Sequence, residues 1–205
     1  MSTKPYLRGH FHQAAFFMAI GACLMLIVKA DDSRAVLACL IYSLSLIALL
    51  GTSALYHRIT WQPHARSLMK RLDHSAIYLL IAGTFTPICL LALSEGSGQK
   101  LLLTIWSVAI LGIIQSIFFV GAPKWLSAIL YLIAGYMIMP YLPELKGPVN
   151  LALLIGGGII YTIGALTYAL KKPDFRPEFF GYHEVFHLLV VIAAICHFAM
   201  IYQIV

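Results

Sequence analysis

Charge is what this chain has least of. Of 205 residues only 11% are Asp, Glu, Lys or Arg, less than half the share of about 25% in an average soluble domain. With 61% hydrophobic residues and a mean hydropathy of +0.88, a soluble monomer is excluded and an integral membrane protein is required. Long polar stretches are missing too, so there is no room for a sizeable extramembrane domain. The apolar runs lack the period-two alternation of a membrane β-barrel, which leaves helices as the spanning element. Cysteine is sparse. Cys23, Cys39, Cys89 and Cys196 fall inside apolar runs without CxxC spacing, which reads as packing and not as a disulfide framework. Acid is scarcer than base, with 8 Asp and Glu against 14 Lys and Arg. The surplus does not point to nucleic acid, because the basic residues sit beside apolar runs, as membrane topology requires.

What is present is a series of seven apolar runs long enough to span a bilayer. They fall at about 13–30, 35–57, 74–93, 101–120, 125–142, 149–170 and 183–204, in one seven-helix transmembrane domain covering 1–205. The breaks carry turn residues: Asp31-Asp32, Pro63, Ser94-Glu95-Gly96, Pro123, Pro143 to Pro148 and Lys171 to Pro177. The first run follows Lys4 and Arg8, and Ile20-Gly21-Ala22-Cys23 faintly resembles a lipoprotein cleavage box. The sequence stays apolar through Val28, so an uncleaved first span is expected.

Basic residues divide unequally between the two sides. One side holds Lys4, Arg8, Arg58, Arg66, Lys70, Arg71, Lys124, Lys171, Lys172 and Arg176, ten in all; the other holds Lys29, Arg34, Lys100 and Lys146, four. The positive-inside rule then puts the N-terminus in the cytoplasm and, after seven spans, the C-terminus outside. This orientation brings His57 at the end of span two, Asp73 at the start of span three, and His183 and His187 in the first turns of span seven to the cytoplasmic side. Polar groups at membrane depth are costly, so their convergence is a functional indication.

His183 and His187 stand i,i+4, on one helix face and close enough to share a metal ion. His57 adds a third nitrogen. Three protein ligands plus water is the arrangement of catalytic zinc, which lowers the pKa of that water to about 7. Asp73 would accept the proton. Ser53, four residues before His57, would orient the water, the aspartate or a substrate carbonyl. Imidazole also suits iron, nickel and copper. Each residue has a plainer reading: an interfacial histidine, an Asp73 that caps span three, a Ser53 bonded back to a carbonyl. His10, His12 and His64 read as loop residues, and His74 as facing elsewhere. His197, about 15 Å beyond His187 along the helix, reads as a hydrogen bond between helices.

His183-Glu184-Val185-Phe186-His187 also matches H-E-x-x-H, the metalloprotease pattern in which Glu is the general base. No Asp or Glu follows Glu184, so no downstream acidic ligand exists, and the motif opens the last span with no protease scaffold after it.

Ser53-Ala54-Leu55-Tyr56-His57, Asp73-His74-Ser75-Ala76-Ile77-Tyr78 and His183 to His187 with Leu188-Leu189-Val190-Val191 together resemble the hemolysin III / PAQR family, the bacterial relatives of the adiponectin and progestin receptors. The resemblance covers essentially the whole chain. It implies one zinc held by His57, His183 and His187, with Asp73 and Ser53 as the acting polar groups. It further implies hydrolysis of a lipid amide, ceramide-like, in membrane lipid and energy homeostasis of a bacterial inner membrane, with membrane lipids as partners. The rival expectations are a membrane-state regulator with structural zinc, and a pore-forming cytolysin. Oligomeric state stays open.

Overall fold

The computed structural model describes residues 5–119 and 121–205. Lys4, counted on the basic side, and Val120, the expected end of span four, lie outside them. Among the described residues the chain is helical, with seven helices long and apolar enough to cross a membrane. Their α-helical parts are α1 (His10–Lys29), α2 (Ser33–Arg58), α3 (Pro63–Pro87), α4 (Glu95–Phe118), α5 (Lys124–Gly135), α6 (Leu151–Leu170) and α7 (Tyr182–Ile204), the third span running on to Ala92 and the fifth to Glu144.

Their ends follow local chemistry. Asp32 and Asn150 cap α2 and α6 by accepting from Ala35 N (2.8 Å) and Leu153 N (3.2 Å), satisfying donors that a helix start leaves open. Pro63 opens α3 at the one helical position where a missing N–H costs nothing. Pro87 ends its regular part, and a π-helical turn over Ile88–Ala92 follows. Pro140 and Pro143 keep the second half of span five out of α-helix, as a 3-10 stretch over Tyr136–Glu144.

Helix α3 is the centre of the bundle. It touches α2, α4, α5 and α7, while α1 packs on α2 and α7, and α6 on α5 and α7. Two-thirds of its span is buried, 67%, a larger share than in any other span. Small residues permit this crowding. A Cβ on Gly83 would stand 2.0 Å from Ser45 Oγ of α2, and one on Gly112 of α4 would stand 2.4 Å from the Tyr78 ring. Gly83 therefore serves close approach of α2 and α3.

The beginning of α3 corrects the expected loop. Arg66, Lys70 and Arg71 lie on its first turns, and Asp73 stands ten residues beyond Pro63, well inside the helix. Asp73 does not cap α3. The four cysteines are free, as their placement in apolar runs anticipated.

Candidate metal centre

Three helices deliver side chains to one buried cluster at the end of the bundle that carries the start of α1. The last turn of α2 brings His57, the interior of α3 brings Asp73, and the first two turns of α7 bring His183 and His187. All four are buried, from 2% exposure at His187 to 9% at Asp73. The nitrogens of His57, His183 and His187 converge, each offering an atom within 4.8 Å of the others. His183 Nε2 and His57 Nε2 face each other at 3.2 Å. Nitrogens held at ~2.0–2.1 Å around a tetrahedral ion stand about 3.3 Å apart, so this pair already has the spacing of one edge of such a site. Two imidazoles 126 residues apart in the chain are thus brought together.

Asp73 Oδ2 lies 3.7 Å from His57 Nε2. The Ser53 hydroxyl, one turn before His57 and 2% exposed, faces the Asp73 carboxylate. The aspartate therefore sits beside the histidine cluster with the Ser53 hydroxyl against its carboxylate. That arrangement can orient a proton donor and take its proton.

Sequence reasoning missed His12. It belongs to α1, is 2% exposed, and stacks on His187 with ring centroids 4.0 Å apart and planes within 4°. Neither of its nitrogens, nor Nδ1 of His187, has a hydrogen-bond partner. Buried nitrogens left unpaired are rare and call for an explanation such as a bound ion. His12 is outside the converging trio and braces it from behind. An indication was available: His12, Ala19, Cys23 and Leu26 lie on one face of α1, the face that is buried.

Close packing holds the cluster. Gly9, at φ +80°, starts α1, and a Cβ there would come within 2.8 Å of His57 Cβ. Only glycine meets both the left-handed backbone and that contact without strain. Tyr6 N–H donates to Glu178 O (2.9 Å) and Leu7 N–H to Phe179 O (3.3 Å), tying the segment before α1 to the loop before α7.

Glu184, the acid of the H-E-x-x-H match, is taken up by structure. One oxygen pairs with Arg8, and the other accepts from Gly181 N at 2.9 Å at the start of α7. It is 1% exposed and has no place among the converging nitrogens. His197, as expected, bonds across helices, with Nε2 3.1 Å from Leu154 O of α6. Gly157 makes room for it, since a Cβ there would lie 2.5 Å from the imidazole.

The cluster forms the polar end of a cavity of about 700 Å³. Ser53, Asp73 and the histidines line one part; Ile77, Leu80, Phe85, Ile88 and Val190 line the depth. Tyr136, Met139, Ile155 and Ile159, all on the exterior of the bundle, also border it, so it reaches the lipid-facing side between α5 and α6.

The fold and the cluster define a class: a multi-pass helical membrane protein with a buried three-histidine group able to hold a metal ion. Comparison with known proteins narrows it. The family model described as "Haemolysin-III related" matches residues 1–198, and the chain belongs to that family. It is 38% identical over 187 residues to "Hemolysin-3" of Bacillus cereus, covering 88% of this chain and 82% of that one. It is 34% identical to "Hemolysin-3 homolog" of Bacillus subtilis (strain 168), at 88% and 84% coverage. The "Adiponectin receptor protein" of Drosophila melanogaster is 31% identical over 172 residues, 74% of this chain and 39% of the longer relative. The expected kinship with hemolysin III and the adiponectin receptors is thereby established.

Proposed function

We propose that the chain is a zinc-dependent hydrolase of lipid amides, working in the cytoplasmic leaflet of a bacterial inner membrane. The observation that carries this reading is the placement of the histidine trio and Asp73 where a polar cluster meets a cavity open toward lipid. A purely structural metal would be closed off by four protein ligands; here three nitrogens converge and the remaining side is cavity.

His57, His183 and His187 hold the ion. A bound zinc supplies Lewis acidity and makes water acidic enough to be a nucleophile near neutral pH. Asp73 takes the proton of the attacking water at Oδ2 and returns it to the leaving amine. Ser53 holds the carboxylate in line and offers a hydrogen bond to the substrate carbonyl. His12 keeps the His187 ring in its orientation by stacking. The apolar depth takes the acyl chain, which arrives from the side, so the scissile bond meets the polar cluster at head-group level. Removing water from the site strengthens each of these interactions.

The test is a pair of variants with two measurements. Elemental analysis of the purified wild type is expected to give about one zinc per chain, and His187→Ala to lose it. Asp73→Asn is expected to keep the metal and lose at least ~100-fold in turnover of an N-acyl lipid, the usual scale of a lost general base. Full turnover in Asp73→Asn overturns the mechanism. A zinc-loaded wild type inert toward every acyl amide and ester would leave a membrane-state regulator with structural zinc as the reading.

A further inference from the structure

The cationic residues of the basic end divide into two groups. Arg8, Arg66, Lys70 and Lys124 line the cavity, while Arg58, Arg71, Lys171, Lys172 and Arg176 are not among its lining residues. Membrane topology demands basic residues on this side; it does not demand that any turn inward. Among the described residues that line the cavity, Asp73 is the one carboxylate. Arg8 is answered by Glu184.

The inward cations are arranged in series with the centre. Arg66, Lys70, Asp73, Ile77, Leu80 and Thr84 share one face of α3 by their three- and four-residue spacing, and all line the cavity. Along the helix axis Lys70 stands about 4.5 Å and Arg66 about 10.5 Å toward the rim from Asp73. Beyond Asp73, in the other direction, the stripe turns apolar. Lys124 is fixed across from it. Its ammonium donates to Tyr182 Oη at 2.9 Å and lies 4.4 Å over the Tyr168 ring and 4.9 Å over the Tyr182 ring. A cation held over two aromatic faces is a directed charge, not a freely sweeping one.

We propose that the cavity selects single-chain amphiphiles whose head group carries an anionic oxyacid, phosphate or carboxylate, roughly 5–10 Å from the bond at the metal centre. The inference rests on the lipid hydrolase reading and narrows its substrate class away from a neutral ceramide. Arg66 and Lys124 receive the anion, the histidine cluster lies at the depth of the acyl linkage, and the chain fills the apolar interior.

Ether lipids, which have no acyl bond to cleave, test this apart from turnover. Binding of 1-O-dodecylglycerol and of its 3-phosphate would be measured on the full chain in phosphatidylcholine nanodiscs. The phosphate is expected to bind at least 10-fold tighter. That preference is expected to fall at least fivefold in Arg66→Gln and further in Arg66→Gln/Lys124→Gln, and to survive in Lys124→Arg. Arg66 is exposed, so its variant keeps the fold, and comparing variants cancels differences in partition into lipid. Equal affinity for the two ligands, or an undiminished preference in the double variant, overturns the proposal. Displacement by inorganic phosphate at the same concentration also overturns it, since a soluble anion would then be the ligand. Failure of the Asp73→Asn test leaves these outcomes unaffected, so the two readings fail separately.

Discussion

At the scale of single residues, the site was legible where chemistry repeats at helical spacing. His183 and His187 declared themselves by i,i+4 placement, and His57 and Asp73 by the side on which their helices end. Their convergence needed only topology, and the structure brings them together. His12 was not legible, because one histidine near a chain's start, beside His10 and Gln13, looks like a polar approach to a span. Glu184 is a case where the sequence argued rightly against a motif. A five-residue motif offered a catalytic role, and the fold gives the carboxylate to Arg8 and Gly181 N. Glu184→Gln is therefore expected to keep the metal and lose stability. Breaking a fully buried pair costs ~3–5 kcal/mol; with Arg8 23% exposed, about 1–3 kcal/mol is expected, read as a lower Tm in detergent. A variant as stable as the wild type would return Glu184 to the catalytic candidates.

Among the elements, hydropathy located all seven spans but not what their ends do. α3 begins at Pro63, eleven residues before the expected span, because its first turns are amphipathic and too charged to register as membrane. Their basic face turns to the cavity and to the rim, so helix persists where apolarity stops. The π turn after Pro87 was not legible, since its shape depends on α4. There a Cβ on Gly98 would stand 2.2 Å from Cys89 O, a backbone atom of that turn. Gly98→Ala is expected to cost about 1–3 kcal/mol, the usual cost of overpacking. Gly96→Ala, with nothing within 4 Å, is expected to be neutral or slightly stabilising. Matched thermal denaturation of the two variants checks the contrast, and equal Tm values would show that the π turn yields.

For the whole molecule, composition alone excluded solubility, and the seven-helix bundle followed. Which helix lies at the centre was not legible. α3 and α6 are both continuous apolar runs, and burial of the first depends on glycines of α4 and serines of α2 that meet it in three dimensions. Orientation rests on charge: ten basic residues against four. Alkaline phosphatase fused after Val205 is expected to be active on bacterial cells, and the same reporter fused in the 172–178 loop inactive. The reverse pattern would put the metal centre in the opposite leaflet.

The trio's distribution along the chain also has a history in time. His57 is made early, while His183 lies 126 residues later. At ~5–20 residues per second of synthesis, roughly 6–25 s separate them. During that interval α1 to α6 are made with His12, His57 and Asp73 lacking the imidazoles of α7. The chain passes through a state in which its most polar interior is complete except for its last wall. Arrival of α7 closes that wall, places both remaining imidazoles at once, and seals Arg8 against Glu184. Assembly of the centre and completion of the bundle are one event.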